Sequence, residues 1–199
     1  VLSRLLYGTR VSLSVGLVAV GLAVGLGVLV GAVATMVRRL DGPLMRLTDI
    51  MLCFPTIFLI LAVIAVLQPS LLNVMIIIGL TGWMGTARLV RAELLSLRTR
   101  PFMDAAKLAG IRPARLVWKH LLPNAVPPIL TSASLGLAGA ILTEAGLSYL
   151  GLGVQPPTPS WGSMLAEGKG VMEAAWWLIT FPGLAIVATV LAFTFAAER

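Results

Sequence analysis

The chain has 199 residues, of which 58% are hydrophobic and only 12% are charged. Its mean hydropathy is +0.98, and that much apolar surface cannot all be buried inside a soluble domain of this size. The single cysteine, Cys53, excludes an internal disulfide, and the sequence has no Cys/His cluster that would hold a metal ion. A formal net charge of +7 would suggest nucleic acid as a partner of a soluble protein. The positions of the charges indicate a membrane protein instead.

Four long stretches without a charged residue predict the membrane-spanning helices. A helix needs about 20 apolar residues to cross the bilayer core. The stretches 11–37, 120–143 and 174–197 each fit one crossing, whereas 50–87 is long enough for two, with a polar break at residues 68–70. The sequence therefore predicts one all-α transmembrane bundle over 1–199. Its five spans are expected at about 11–37, 47–67, 71–90, 124–147 and 174–196.

The first span contains two pairs of glycines four residues apart, Gly21 with Gly25 and Gly27 with Gly31. This spacing lets two helices approach closely in lipid, although glycine is also common in membrane helices in general. We expect at least one pair to pack against another helix. In the second span, Pro55 is expected to kink or begin the helix.

The uncharged run between Glu144 and Glu167 is not counted as a span. Its glycines and prolines would leave backbone groups unpaired in lipid. We therefore expect an external Pro/Gly-rich loop over 148–173. The residues that break the helical pattern are Gly146, Gly151, Gly153, Pro156, Pro157 and Pro159.

The basic residues predict the orientation of the chain. All Lys and Arg residues except Arg4, Arg10 and Lys169 fall on one side of the five-span arrangement. The positive-inside rule makes that side cytoplasmic, which places the N-terminus outside and the C-terminus in the cytoplasm. Because the chain begins at Val1 rather than at Met, we expect it to be part of a longer protein.

The loop 88–123 carries helical signals of its own. Pro101 fits a first helical position, Asp104 fits the first turn, where a helix favours an anion, and Gly110 fits a helix end. A second short helix is expected from Pro113 to Leu122, ended by Pro123. The segment is thus predicted to form a compact cytoplasmic helix–turn–helix with a small-residue surface and a basic face.

This helix–turn–helix is compatible with three functions, which the residue pattern supports unequally. DNA binding is disfavoured because the flanking spans would hold the element against the bilayer. Docking of a cytoplasmic protein would use the small side chains of Ala105 and Ala106 for close approach. A basic loop that only fixes topology or contacts anionic lipid is the third interpretation. The residue pattern alone leaves the last two open.

The segment Asp104–Gly110, DAAKLAG, followed after nine residues by HLLP at 120–123, resembles the cytoplasmic EAA loop of ABC importer permeases. That loop reads Glu-Ala-Ala, three residues, Gly, nine residues and Ile-x-Leu-Pro. Asp104 replaces the usual Glu, and His120 stands at the Ile position, as in the dipeptide/oligopeptide/nickel branch. Segments 2–13, 87–93 and 148–162 resemble the same branch.

The resemblance implies a type I ABC importer permease in a bacterial or archaeal inner membrane, whose six-span core lacks its first helix here. Such a permease pairs with a second homologous permease, two cytoplasmic ATPase subunits and an external substrate-binding protein. It would import peptides, nickel or a similar small solute and would not be an enzyme. No nucleotide-binding motif occurs in this chain, so ATP is expected on the partner subunits and no cofactor on this one.

Two sets of site residues follow from the resemblance and from the residues themselves. The role of Glu144 is left open. It fits either a place in the substrate path or gate, or a purely structural position at a helix interface. The alternative function is a secondary transporter or channel, which would be expected to carry charges along several spans. The ATPase-coupling candidates are Asp104, Ala105, Ala106, Gly110, His120, Leu122 and Pro123, and the candidates for an external gate or binding-protein contact are Glu144, Pro156, Pro157 and Trp161.

Overall fold

The structure is a computed structural model, and it describes residues 1–67, 70–103, 110–111 and 113–198. Throughout these ranges the regular structure is helical, which confirms the predicted all-α class. The helices, in chain order, are α1 (Leu2–Met36), α2 (Arg38–Cys53), α3 (Thr56–Ile64), α4 (Leu71–Leu97), α5 (Pro113–Leu116), a π-helical segment (Val117–Leu121), α6 (Leu122–Tyr149), α7 (Trp161–Lys169) and α8 (Trp177–Ala197).

Four of the described helical stretches are long and apolar enough to cross a membrane, and the α2–α3 pair brings the total to five if it is taken as one bent span. The four are α1, α4, the continuous stretch Ala114–Tyr149 and α8. Each is close to a predicted span, but α1 and the third stretch extend well beyond the uncharged residues that predicted them. A straight span over 47–67 is not present.

The second predicted span is broken at Phe54 and Pro55. α2 and α3 meet there at 84°, and Phe54 is extended, with φ −89° and ψ 127°. A residue that precedes proline avoids the helical region, and the proline itself cannot donate the hydrogen bond that would continue the helix. The kink expected at Pro55 is therefore confirmed, and the span expected at about 47–67 corresponds to the bent α2–α3 pair.

α1 packs along α4 through glycines on both helices. A Cβ atom at Gly27 would lie 2.5 Å from Thr86 Cβ, and one at Gly31 would lie 2.7 Å from the Ala87 carbonyl oxygen. The close packing expected for this glycine pair is confirmed. Around Gly21 and Gly25 a Cβ would meet nothing within 4 Å, so close packing at that pair stays a prediction.

The direction of the helices defines two ends of the bundle. α4 runs parallel to α1, because Gly27 and Gly31 contact successive turns of α4 in the same order. α6 is antiparallel to α1, because Gly16 contacts Ile141 whereas Val20, one turn later, lies near Gly136. We call the end that holds α2, the C-terminal part of α4 and residues 110–123 the basic end. The other end, with the N-terminus of α1, residues 150–160 and α7, is the loop end.

Ion pairs fasten α2 to α4 at the basic end. The Arg91 guanidinium contacts both carboxylate oxygens of Asp41, with Nη2 to Oδ2 at 2.7 Å. Arg88 donates to Asp49 in a second pair. Because both acids of α2 are bound to α4 in this way, they hold the amphipathic α2 across the end of the bundle rather than in line with α3.

The helix that follows Gly110 does not end at Pro123, contrary to the sequence prediction. It widens into the π-helical segment, in which the Leu122 N–H donates to the Val117 carbonyl five residues back, and then continues as α6. A π turn relieves the clash between a proline ring and the preceding turn. Pro123 is therefore accommodated without a break.

The region 148–173 is more helical than expected. α6 runs on to Tyr149, and α7 occupies Trp161–Lys169. A capping box starts α7: the Ser160 Oγ accepts from the Ser163 N–H, and the Ser163 Oγ accepts from the Ser160 N–H. The irregular parts of this region are thus residues 150–160 and the turn 170–173.

Candidate functional site

The coupling segment, residues 101–123, is fixed to the bundle by apolar side chains. Met103 precedes the turn at Gly110 and Val117 and Leu121 follow it, and all three are buried in one cluster with Val90 and Leu94 of α4. The part of the segment that the structure describes therefore has a firm apolar base on the C-terminal half of α4. Such a base lets a force applied to the segment reach the spans.

Gly110 is exposed at the turn of the coupling segment. It has φ +68°, and a Cβ there would meet no atom of the described residues within 4 Å. This positive φ is a backbone conformation that favours glycine, whereas the space that the described residues leave around it would also accept a larger side chain. Asp104, Ala105 and Ala106 lie outside the described residues, so the helix expected around them stays a prediction.

The remaining coupling candidates lie at the start of the third long helical stretch. His120 is half-buried, and its carbonyl oxygen accepts from the Asn124 side chain at 2.6 Å. Leu122 is buried in the apolar cluster and Pro123 is exposed. Leu122 therefore serves the packing of the bundle, while Pro123 faces outward.

Trp118 is a candidate that sequence reasoning missed. It lies in the π-helical segment and is 50% exposed, next to the exposed Lys119. Large exposed aromatic residues are enriched where proteins contact one another. The signal in the sequence was a single tryptophan inside an otherwise basic loop, but only the structure shows that it points outward.

Glu144 occupies the centre of a buried polar network at the loop end. Its carboxylate is fully buried and accepts from the Ser12 hydroxyl of α1 at 3.1 Å and from the Ser148 hydroxyl at 2.7 Å. Within the described part of the chain no cation pairs with it. A buried carboxylate is costly unless it is hydrogen-bonded, and the two serines supply those bonds.

The network continues from Glu144 into the external loop and α7. The Ser148 hydroxyl accepts from the Val154 N–H at 3.0 Å, and the Ser12 hydroxyl accepts from the Trp161 N–H at 3.2 Å. One acidic side chain thus ties α1, α6, the loop 150–160 and α7 together. This geometry favours the structural role for Glu144 over a role in the substrate path.

Trp161 is not an exposed contact residue, contrary to the sequence prediction. Its side chain is buried, and the indole N–H donates to the Leu5 carbonyl at 3.3 Å. Because Trp161 follows the Ser160 cap directly, the start of α7 turns it inward. Pro156 and Pro157 are exposed at the tip of the loop, so they stay candidates for contact with an external partner, whereas Glu144 and Trp161 position the loop from inside.

An ion pair on the surface of the loop end joins α1 to α7. The Arg4 guanidinium donates two hydrogen bonds of 2.7 Å to the Glu167 carboxylate of α7. These bonds, more than the accompanying charge attraction, hold the pKa of the Glu167 carboxyl below its usual value. Because both side chains are about half exposed, water screens the pair, and its contribution to stability is small.

A groove between four helices was not predicted from the sequence. It encloses about 170 Å³ and is lined by small, branched apolar and hydroxyl-bearing side chains of α1, α3, α4 and α6, without a charged residue among the described residues that line it. α6 contributes small residues at helical spacing, which opens the space. The residues that define its character are Thr56, Thr81, Gly82, Thr86, Ser132, Gly136, Gly139 and Thr143.

Solved structures share this arrangement of helices. An inward-facing MetNI methionine ABC transporter chain superimposes with a TM-score of 0.82 at 20% sequence identity, covering 98% of this chain and 94% of that one. An amino acid ABC transporter chain gives a TM-score of 0.69 at 15% identity over 98% of this chain and 90% of that one. At such low identity the likeness concerns the fold, which is that of type I ABC importer permeases.

Curated relatives match along almost the whole chain. The di/tripeptide transport system permease protein DppC of Pseudomonas aeruginosa is 42% identical over 198 residues, or 99% of this chain. The dipeptide transport system permease protein DppC of Escherichia coli K12 is 41% identical over 199 residues. The chain spans 65% and 66% of the length of these two relatives.

The model of the family described as "binding-protein-dependent transport system inner membrane component" matches residues 23–199. The match includes the coupling segment at the basic end and, at the loop end, all members of the Glu144 network except Ser12. Taken with the membrane-spanning helices and the shared fold, it establishes that the chain belongs to this family of ABC importer permeases, which are transport proteins and not enzymes.

Proposed function

We propose that the chain is the core of a permease subunit that carries peptides across the inner membrane in an ATP-driven importer. The observation that carries this proposal is its identity of 42% and 41%, over nearly its full length, to permeases named for di/tripeptide and dipeptide transport. The uncharged groove between α1, α3, α4 and α6 supports it. A path for peptides with varied side chains has little use for a fixed charge, whereas hydroxyl groups can hydrogen-bond to any peptide backbone.

The second part of the proposal concerns coupling. The basic end faces the cytoplasm by the positive-inside rule, and the coupling segment there receives a cytoplasmic ATPase subunit that binds the ATP. Gly110 and Trp118 lie on its exposed side while Met103 and Val117 anchor it to α4. Closure of the ATPase subunits would then move the segment, and with it the spans, as a rigid lever.

The remaining partners are a second homologous permease, which completes the path, a second ATPase subunit and an external substrate-binding protein. The exposed loop tip at Pro156 and Pro157 is the part of the loop end best placed to meet that binding protein. The network around Glu144 supports this assignment because it holds the loop in one position.

Uptake of a labelled dipeptide tests the proposal. The full-length permease is reconstituted in vesicles with its partner subunits, and uptake is measured with and without ATP. Gly110→Val should reduce uptake at least about tenfold, because a β-branched residue is strained at this positive φ, by about 1–2 kcal/mol or more. Gly110→Asn should retain most of the uptake, since asparagine tolerates the same conformation.

The amount of permease in the membrane is measured for each variant, so that loss of coupling is distinguished from loss of insertion. Normal uptake by Gly110→Val would remove the coupling role of this turn. Uptake that proceeds fully without ATP or ATPase subunits would instead indicate a secondary transporter or channel.

A further inference from the structure

The surface of α2 has three distinct faces. Taking 100° per residue, its inner face contains Leu44 and Thr48 and packs toward the bundle, where Asp41 reaches Arg91. The side chains of the other two faces are mostly exposed, although Asp49, at the edge of one of them, is bound to Arg88 of α4. Their composition indicates which kind of partner they fit.

One free face of α2 is apolar. Leu40, Leu47 and Ile50 fall within an arc of about 80° and are between 43% and 58% exposed. An exposed apolar stripe of this kind on a short amphipathic helix is the feature that inserts between lipid headgroups.

The adjacent face is basic. Arg38, Arg39 and Arg46 fall within an arc of about 100°, and all three are exposed. None of them has a hydrogen-bond or ion-pair partner among the described residues. The two acids of α2 do not offset these charges, because Asp41 and Asp49 are bound to arginines of α4.

The direction of α2 fits a membrane surface. It turns away from α3 by 84°, and α3 packs its buried Ile60 and Ile64 along the first half of the membrane-spanning α4. The two ion pairs give the same direction. Asp41 and Asp49 lie about 12 Å apart along α2. Their partners, Arg91 and Arg88, lie only about 4.5 Å apart along α4. α2 therefore crosses the axis of a spanning helix steeply.

We propose that α2 is an interfacial helix that binds the anionic phospholipids of the bilayer at the basic end. Its apolar face enters the boundary between headgroups and acyl chains, and its three free arginines contact lipid phosphates. This combination of an inserted apolar stripe with an adjoining cationic face suits an anionic lipid surface better than a neutral one. The anchored α2 would brace the bent α2–α3 pair while the neighbouring coupling segment moves.

Cys53 provides the probe, because it is exposed at the last residue of α2. Any cysteine of the full-length permease outside these 199 residues, or of its partners, is replaced by serine. The full-length permease, labelled at Cys53 with a fluorophore and assembled with its partners, is reconstituted in equimolar phosphatidylcholine and phosphatidylglycerol, with one of the two lipids brominated. The ratio of the two quenching extents should show a preference for phosphatidylglycerol over phosphatidylcholine of at least about tenfold, because each arginine near anionic lipid contributes about 1 kcal/mol. High salt should reduce this preference.

Two variants of α2 test whether its arginines and its apolar face bind lipid. Arg38→Gln/Arg39→Gln/Arg46→Gln should lose the preference, whereas the matched control, Arg98→Gln/Arg100→Gln/Arg115→Gln, removes equal charge from the basic end outside α2 and should keep it. A second variant, Leu47→Gln/Ile50→Gln, should weaken quenching by both lipids. Equal quenching by the two lipids in the unaltered protein, or an unchanged preference in the α2 arginine variant, would overturn the proposal. A third outcome would also overturn it. If neither brominated lipid quenches the label, and if the label is accessible to a water-soluble quencher only when the ATPase subunits are omitted, α2 is a protein-docking surface.

Discussion

Replacing Gly27 and Gly31 together with alanine should destabilise the folded chain by about 2–4 kcal/mol. The two added Cβ atoms would lie 2.5 Å from Thr86 Cβ and 2.7 Å from the Ala87 carbonyl oxygen. In lipid, helices associate through close packing rather than through the hydrophobic effect. Moving α1 away from α4 would therefore remove a large part of the force that joins them. The measurement is thermal unfolding of the purified protein in detergent.

The same helix supplies the control for this experiment. Gly21→Ala/Gly25→Ala introduces the same two methyl groups where a Cβ would meet nothing within 4 Å. Because alanine is the better helix former by about 1 kcal/mol per residue, this variant should unfold at the same temperature as the parent protein or slightly above it. Equal unfolding temperatures for the two double variants would show that the α1–α4 contact is not as close as the structure has it.

Replacing Glu144 with alanine should have an effect of similar size, about 2–4 kcal/mol. The change empties a fully buried site and deprives the hydroxyls of Ser12 and Ser148 of their acceptor. Since these serines also accept from the backbone of the loop and of α7, the loop 150–160 should loosen as well. Thermal unfolding and the rate of proteolytic cleavage within the loop measure the two effects.

Glu144→Gln separates this structural role from a role in the substrate path. A glutamine keeps one acceptor oxygen and can donate from its amide to the second serine after that hydroxyl rotates. We expect a loss of less than about 1 kcal/mol, with unchanged uptake and substrate preference. A glutamine variant that is stable but imports a different set of peptides would instead place Glu144 at the gate.

The sequence predicted the number and approximate position of the spans because lipid imposes a simple rule. A crossing helix must be apolar for about 20 residues, and charge-free stretches are visible without a structure. The amphipathic character of α2 was hidden, because Asp41 and Asp49 read as ordinary loop charges until their partners on α4 were known. The predicted stop at Pro123 failed for a related reason, since a π turn can absorb a proline and leaves no mark in a single sequence.

In the candidate sites, too, some features were predicted from the sequence and others were not. The glycine at 110 was assigned to a turn from its spacing alone, and its φ of +68° agrees with that assignment. In contrast, the burial of Trp161 and the contact of Glu144 with Ser12 depend on contacts across more than 130 positions of chain. Such long-range contacts follow from the tertiary packing of α1, α6 and α7, which local pattern and motif do not encode.

We propose above that an ATPase subunit docks on the coupling segment at the basic end. Photo-crosslinking tests it most directly, in a background in which Cys53 and any cysteine elsewhere in the full-length permease or in its partner subunits are replaced by serine. A benzophenone on Lys119→Cys, at an exposed position of the π-helical segment, should crosslink to the ATPase subunit in the assembled transporter. The same label on Thr158→Cys, at the exposed loop tip, should not. Crosslinking to the ATPase subunit from position 158 but not from position 119 would contradict the account.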